Sequence, residues 1–266
     1  METTNRPFAV VTGASSGIGY ELARVFAKNG FDLLITAEND LRTVARELQD
    51  VGAQITTLQA DLAQHDEVEK LWKAIEATGR PLDAIAINAG VGVGGGTFAE
   101  TDLQSELNLI QLNVTSTVHL AKRVVRDMLS RSAGRILFTS SIAGTMPTPY
   151  EAVYGASKAF VQSLSQSLRH ELKDSGITVT ALQPGPTDTN FFHRAGMDHT
   201  KLGTEGKYTN NPAEVAQQGF DALMSGEDHV YASSVKTKIE GELGKFMPES
   251  VKARMHEKQA EPKSGT

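Results

Sequence analysis

The sequence contains no cysteine among its 266 residues. This absence excludes disulfide bonds and thiolate metal ligands, and it agrees with a reducing compartment. The chain also lacks any uninterrupted run of about 18 apolar residues. Its N-terminus, METTNRPFAVVTG, has no basic segment followed by an apolar stretch. We therefore expect no signal peptide, no membrane partner and a location in the cytoplasm.

Positively charged residues are outnumbered by negatively charged ones. The chain has 26 lysine and arginine residues against 32 aspartate and glutamate residues, a formal net charge of −6. Because no basic stripe stands out, we expect no nucleic-acid partner. The histidines form no His-Glu-x-x-His pair. His193 and His199 share a loop but have no carboxylate cluster beside them, so we expect no metal site.

The sequence does contain a regular alternation of short apolar runs with longer segments of helical periodicity. The runs are Phe8–Thr12, Phe31–Thr36, Gln54–Gln59, Ala84–Asn88, Arg135–Ser140, Thr178–Gln183 and His229–Ala232. Three of the helical segments end on a glycine, namely Gly30, Gly52 and Gly79. The pattern predicts a single-domain Rossmann-type α/β fold, in which helices flank a doubly wound parallel sheet of about seven strands.

Two segments depart from this alternation. Residues 189–211 mix polar, aromatic and glycine residues, which predicts a mobile loop or small helices with few core contacts, acting as a substrate lid. A charged extension runs from about residue 234 to 266, and within it residues 248–260 are predicted to form a final helix. Because no repeat or linker is visible, we expect one domain over residues 1–266.

A glycine-rich segment, VVTGASSGIGYELA, follows the first predicted strand and opens the first predicted helix. Its glycines, Gly13, Gly17 and Gly19, suit a sharp turn with positive φ. They also leave backbone N–H groups open to a pyrophosphate, which the helix N-terminus would favour. The segment is therefore a candidate dinucleotide site. A strand-to-helix turn that is merely rich in glycine is the alternative.

The form of this turn resembles that of the short-chain dehydrogenases/reductases, and further motifs similar to that family follow in order. These motifs are Asp61 in ADL, NAG at 88–90, Asn113, SSIAG at 140–144, YGASK at 154–158 and PGPTDT at 184–189. The resemblance covers about residues 7 to 190. The C-terminal third departs from the glycine-rich strand and tail that close many tetrameric members. The resemblance therefore implies a homodimer or a homotetramer without deciding between them.

The resemblance implies the residues of a cofactor site and of a catalytic site. The cofactor residues would be Gly13, Ser15, Ser16, Gly17, Ile18, Gly19, Glu38, Asp61, Leu62, Asn88, Ala89, Gly90, Tyr154, Lys158, Pro184, Gly185, Thr187 and Thr189. The catalytic residues would be Asn113, Ser141, Tyr154 and Lys158.

Tyr154 and Lys158 are four residues apart, so on a helix they share one face. A free tyrosine has a pKa of about 10 and is a poor base at neutral pH. A nearby ammonium group, helped by a positively charged nicotinamide, would lower that pKa. This predicts a tyrosine that exchanges a proton with the substrate. A solvated Tyr/Lys pair is the alternative.

Three further sites have two interpretations each. Ser141 occupies the place of the family's catalytic serine, whereas strand alternation would point Ser140 away as a packing hydroxyl. Asn113 is expected in mid-helix, where the resemblance makes it the holder of a water that connects Lys158 to solvent; a simple buried hydrogen bond is the alternative. Phe191 and Phe192 could cover an apolar substrate or pack a short helix.

The end of the second predicted strand bears on the choice of cofactor. Glu38 lies where dinucleotide folds face the adenosine ribose, and its carboxylate would repel a 2′-phosphate. We therefore expect NAD, with NADP as the alternative if Glu38 points to solvent and Arg42, one turn into the next helix, swings in.

Together these features predict an oxidoreductase that transfers a hydride between a nicotinamide cofactor and a small-molecule alcohol or carbonyl substrate. A dinucleotide-binding sensor or scaffold without turnover is a rival, as is an epimerase or dehydratase on the same fold. Loop residues 92–98, 142–150 and 189–210 would set the substrate, which the sequence does not identify.

Overall fold

The computed structural model describes residues 6–204, 210–232 and 247–262, and the strands within this part form one parallel seven-stranded sheet. The strands are β1 (Phe8–Thr12), β2 (Asp32–Ala37), β3 (Ile55–Gln59), β4 (Ala84–Ile87), β5 (Gly134–Thr139), β6 (Ile177–Pro184) and β7 (His229–Ala232). Their order across the sheet is β3-β2-β1-β4-β5-β6-β7. The predicted Rossmann-type fold is confirmed, and the ends of each predicted strand agree with the observed ones to within about one residue.

Helices cover both faces of the sheet. They are α1 (Gly17–Lys28), α2 (Arg42–Gln49), α3 (His65–Ala77), α4 (Leu103–Ile110), α5 (Ser116–Arg131), α6 (Ala152–Leu172), α7 (Phe191–Arg194), α8 (Lys201–Thr204), α9 (Pro212–Ser225) and α10 (Glu249–Ala260). The predicted stop glycines after α1, α2 and α3 have φ values of 87°, 83° and 62°, the left-handed region that glycine adopts without strain. In the described part of the chain, no helix combines the length and apolar character needed to cross a membrane.

The sheet divides the apolar core into two layers, because successive strand residues point to opposite faces. Val11 faces a cluster completed by α1, α2 and α9, whereas Val10 faces a cluster completed by α3, α5 and α6. In the first layer Phe26 and Phe220 meet edge to face with ring centroids 5.0 Å apart, so α1 and α9 are joined directly.

The segment at 189–211 is better packed than the sequence suggested. Its described residues include α7 and α8, as the small-helix alternative predicted. Met197 and Leu202 are buried in a cluster with Ala260 of α10. The structure thus corrects the expectation of few core contacts, and only residues 205–209 of this segment lie outside the described part. The predicted final helix is present as α10, whereas residues 234–246 and 263–266 of the extension lie outside the described residues.

The carboxyl ends of β1, β4 and β5 are tied together by side chains. The Thr12 hydroxyl oxygen accepts hydrogen bonds from the backbone N–H groups of Asn88 and Ala89, both at 2.9 Å. Asn88 in turn donates to the Thr12 carbonyl at 3.0 Å and accepts from the Thr139 hydroxyl at 3.0 Å. Since β1 and β4 are neighbours whose connections leave in opposite directions, these bonds fix the rim of the crevice where doubly wound sheets bind ligands.

This arrangement predicts a specific cost for removing the Thr12 hydroxyl. Thr12→Val keeps the shape of the side chain but leaves two partly buried N–H groups without their acceptor, at about 1–3 kcal/mol for each buried donor. We expect thermal unfolding to begin several degrees lower than in the wild type, since about 1 kcal/mol shifts Tm by about 2–4 °C in a chain of this size. Thr12→Ser, which retains the hydroxyl, is the control and should lose clearly less. Equal Tm values for the two variants would contradict the assigned bonds.

Candidate active site

A cleft of about 300 Å³ runs along the carboxyl edge of the sheet. Every residue predicted from the sequence to bind a cofactor lines this cleft, from the glycine turn after β1 to Thr189 after β6. Of the four predicted catalytic residues, Ser141, Tyr154 and Lys158 also line it. Asn113 lies behind the wall instead, with 1% of its surface exposed.

Three glycines shape the turn at the start of α1, two through their backbone conformation and one through its lack of a side chain. Gly13 and Gly17 have φ values of 68° and 58°. A Cβ atom at Gly19 would collide with the carbonyl oxygen of Gly13, so only glycine lets α1 approach β1 this closely. Ser16, at the N-cap of α1, makes no side-chain capping bond. The first-turn N–H groups therefore remain free to bind an anionic group, and the cradle fits a dinucleotide pyrophosphate.

The cleft is acidic where it passes the ends of β2 and β3. Glu38 and Asp61 both line it and are exposed. Arg42, the nearest base, begins α2 rather than lying a turn inside it. Its guanidinium group is bound to the Asp40 carboxylate at 2.7 and 2.8 Å. Arg42 is therefore engaged outside the cleft, and carboxylates set the local charge.

Tyr154 and Lys158 project from the first two turns of α6 into the cleft, as their spacing predicted. Both side chains are buried. The Lys158 Nζ atom lies 5.8 Å from the centre of the Tyr154 ring and donates a hydrogen bond to the Thr139 carbonyl at 3.0 Å. Phe191 of α7 covers the same ring at a centroid distance of 5.2 Å. The phenol and the ammonium group thus share a cleft that is largely shielded from water.

Burial changes the proton affinity of both groups. It raises the pKa of Tyr154 above its ordinary value, the Glu151 charge raises it further, and a hydrogen bond with Ser141 lowers it. Burial also lowers the pKa of Lys158 from 10.5 to about 8. Among the protein groups around Tyr154, burial has the largest influence on its pKa. The expectation of a lowered tyrosine pKa included a positively charged nicotinamide beside the ring, and it stays a prediction.

The two serines at the end of β5 face different partners. Ser141 accepts a hydrogen bond from the Ala143 N–H at 3.1 Å and donates to the Pro184 carbonyl at 3.4 Å. Ser140 donates to the backbone carbonyl of Lys158 at 2.9 Å. Ser140 thus ties α6 to the sheet, while Ser141 is the serine that interacts with Tyr154.

Asn113 lies in a π-helical turn, Gln111–Thr115, between α4 and α5, rather than in a regular helix. Its side chain accepts from the Val91 N–H at 3.0 Å and donates to the Val91 carbonyl at 2.9 Å. It also donates to the Ser157 hydroxyl at 3.0 Å. These contacts clamp the backbone after NAG to α6. The role of Asn113 as a water holder stays a prediction.

Sequence reasoning missed a whole wall of the cleft. Five residues from the C-terminal end of the chain line it: Met247, Lys252, Met255, His256 and Gln259. Glu151, at the N-cap of α6, lines it as well. The buried residues of α10 are Lys252, His256 and Ala260, spaced four apart. The four-residue spacing is visible in the sequence, but polar residues along one face of a helix ordinarily predict that this face is exposed to solvent.

The structure also brings together a group that the sequence did not connect. Among the described residues, ligand atoms of His65, Glu69 and His119 lie within 4.8 Å of one another. Arg123, however, donates to both oxygens of the Glu69 carboxylate, at 2.8 Å each. The guanidinium group thus occupies the oxygens that a cation would need, and we assign no metal to this group.

The lowered pKa of Lys158 predicts how stability depends on pH. Between about pH 8 and pH 10 the unfolded chain still holds the lysine proton that the folded chain releases, so stability rises with pH in this window. Without added nucleotide, the free energy of unfolding should rise more in the wild type than in Lys158→Met, by on the order of 1–3 kcal/mol. Denaturant titrations at both pH values measure this difference. Lys122→Met, at an exposed site on α5, should behave like the wild type. Equal pH dependence in wild type and Lys158→Met would disprove the shift.

Comparisons with known proteins agree with this geometry. The family model described as short chain dehydrogenase matches residues 7–199. Oxidoreductase UcpA of Salmonella typhimurium is 31% identical over 257 residues, which cover 91% of this chain and 95% of the relative. A short-chain dehydrogenase from Sphingobium yanoikuyae, solved in complex with NADPH, is 31% identical with a TM-score of 0.80, covering 90% of this chain and 93% of that one. A bulky-bulky ketone specific alcohol dehydrogenase from Comamonas testosteroni is 29% identical with a TM-score of 0.77, covering 91% and 92%. The chain belongs to the short-chain dehydrogenase family of oxidoreductases.

Proposed function

We propose that the protein interconverts an alcohol and a carbonyl compound, with Tyr154 as the general acid and base. The observation that carries this proposal is the placement of Ser141, Tyr154 and Lys158 in one cleft with the glycine turn. A nicotinamide dinucleotide would supply the hydride donor or acceptor. The cradle at Gly13 to Gly19 and the acidic rim at Glu38 would hold its pyrophosphate and adenosine parts.

Each side chain has a distinct part in this reaction. Tyr154 gives a proton to the substrate oxygen during reduction and takes it back during oxidation. The Ser141 hydroxyl, close enough to Tyr154 to lower its pKa, orients the same substrate oxygen. Lys158 stabilises the phenolate electrostatically and would bind the ribose hydroxyls of the nicotinamide half. Asn113 acts through the backbone at Val91 and keeps that wall in place.

A sensor or scaffold without turnover is the rival function. Burying the Lys158 ammonium group is costly, as the fall of its pKa to about 8 indicates. A protein that only bound a dinucleotide could hold the ribose hydroxyls with neutral donors and avoid that cost. The Comamonas testosteroni relative is a ketone-specific alcohol dehydrogenase, which also supports carbonyl chemistry. Both observations favour an enzyme.

We infer NAD as the cofactor, with NADP as the alternative. Glu38 lines the cleft after β2, and Arg42 is bound to Asp40, so a 2′-phosphate would meet negative charge. The alternative rests on the Sphingobium yanoikuyae relative, which was solved in complex with NADPH.

We also propose that the protein forms a homo-oligomer and is located in the cytoplasm. Exposed apolar side chains on α4, α5 and α6, among them Leu107, Val118 and Phe160, offer a surface for a second copy of the chain. A homodimer or homotetramer would cover it.

The proposed acid–base role makes Tyr154→Phe the decisive substitution. The ring still packs against Phe191, but the proton-transfer group is gone, so we expect turnover to fall by about 10²–10⁴-fold. Cofactor affinity, measured by nicotinamide fluorescence, should stay within a small factor. Tyr20→Phe is the control, because Tyr20 bonds to Glu47 outside the cleft. If Tyr154→Phe retained more than about a tenth of the activity, the acid–base role would be wrong.

The proposed preference for NAD rests on the negative charge of Glu38. Glu38→Arg replaces a carboxylate at the cleft rim by a guanidinium group that can bind a 2′-phosphate. We expect the ratio of kcat/KM for NAD to that for NADP to exceed one in the wild type and to fall by about tenfold or more in the variant, which is about 1.4 kcal/mol. Glu171→Arg makes the same charge change on the exposed surface of α6 and should leave the ratio unchanged. A wild-type preference for NADP would overturn the assignment.

A further inference from the structure

A pair of buried ionisable side chains joins α10 to the start of the catalytic helix. Glu151 is 3% exposed and His256 is 9% exposed, and the Glu151 Oε2 and His256 Nε2 atoms are 2.9 Å apart. The Nε2 atom is itself buried and has no other polar partner among the described residues. Both residues line the cleft, and neither has a part in the reaction described above.

The Glu151 end of this pair belongs to the rigid part of the site. Its backbone carbonyl accepts hydrogen bonds from the Thr148 hydroxyl at 3.1 Å and from the Gly155 N–H at 2.9 Å. A Cβ atom at Gly94 would come within 2.7 Å of the Glu151 Cγ atom, so the side chain lies directly on the glycine-rich wall after β4. Its charge also reaches Tyr154, three residues along α6.

The His256 end belongs to a helix that buries few apolar side chains against the rest of the described residues. The buried stripe of α10 contains one apolar residue, Ala260, together with Lys252 and His256. Beyond that stripe, a single bridge between Thr200 and Pro262 fastens the described chain after the helix. Since apolar burial is small here, the buried contact between His256 and Glu151 constrains where α10 lies.

The position of α10 determines the shape of the substrate half of the cleft. Met247 and Met255 from this part of the chain line the same cleft as Phe191, Phe192 and Leu202. Methionine side chains adapt to irregular apolar shapes, so this wall suits an apolar body larger than the reacting carbonyl group.

We propose that Glu151 and His256 are positioning residues that hold α10 against the cleft and thereby determine the affinity for large apolar carbonyl substrates; this rests on the proposed function. A small carbonyl compound reaches Tyr154 without touching α10. A large one depends on the wall for part of its binding. Breaking the pair should therefore weaken the binding of large substrates selectively.

His256→Leu tests the proposal, with His193→Leu as a matched control at an exposed histidine that pairs with Asp198 outside the cleft. Acetone and acetophenone serve as the small and large ketone, followed by nicotinamide absorbance with each cofactor. We expect the KM for acetophenone to rise about tenfold in His256→Leu, with kcat and the KM for acetone within about threefold of wild type. The double variant Glu151→Leu/His256→Leu replaces the buried polar pair by an apolar contact and should recover most of the lost affinity.

Hydrogen exchange provides a readout that does not depend on turnover. We expect amides of residues 249–260 to exchange faster in His256→Leu than in wild type or His193→Leu, with α6 unchanged. If His256→Leu does not fold, Glu151→Gln removes the charge with little change of shape, and the same acceleration is expected. Unaltered exchange in 249–260, or equal acetophenone KM values in the two histidine variants, would overturn the proposal. If the wild type reduces neither ketone nor any other carbonyl compound, the proposed function fails, and exchange alone decides the role of the pair.

Discussion

The ammonium group of Lys158 is the constraint around which the candidate site is built. It is buried at the end of β5, where it donates to the Thr139 carbonyl. A Cβ atom at Gly90 would come within 3.2 Å of the Lys158 Nζ atom, and a Cβ atom at Gly144 would come within 2.7 Å of the Lys158 carbonyl carbon. The glycines of NAG and SSIAG are therefore needed so that α6 and its lysine can approach the sheet. Ser140 completes this packing from the strand side.

Burial also shifts the pKa values of the two ionisable groups in the site. The pKa of Tyr154 rises and that of Lys158 falls to about 8, so the protein groups alone favour a neutral phenol. A neutral phenol is the form that donates a proton, which is what reduction of a carbonyl group requires. Oxidation requires the phenolate, and so it needs additional positive charge beside the ring. Under the proposed function, a positively charged nicotinamide would supply that charge.

Local patterns in the sequence predicted the sheet, and the family resemblance implied many of the residues that line the cleft. Strand ends follow from short apolar runs, and helix ends follow from glycines such as Gly30 and Gly52, because both signals are local. The π-helical turn at Asn113 and the contact between Glu151 and His256 could not be predicted in this way. They depend on how distant segments pack, and a polar stripe on a helix carries no sign that it will be buried. In the same way, spacing reveals the lysine beside Tyr154 but not the loss of water, which raises the pKa of the phenol.

Local sequence signals and contacts between distant segments correspond to two different parts of the cleft. The part formed by β1, β4, β5 and α6 is fixed by short backbone and side-chain bonds around Thr12, Asn88 and Lys158, and any change there disturbs the sheet. The part formed by α10 makes few apolar contacts with the sheet core, and its buried stripe is mostly polar. Under the proposed function, the second part can change while the first stays in place, so substrate preference can vary independently of the acid–base geometry. The sequence then predicts the reaction class better than the substrate because Ser141, Tyr154 and Lys158 lie at the sheet edge and on α6, whereas the proposed substrate wall lies on α10.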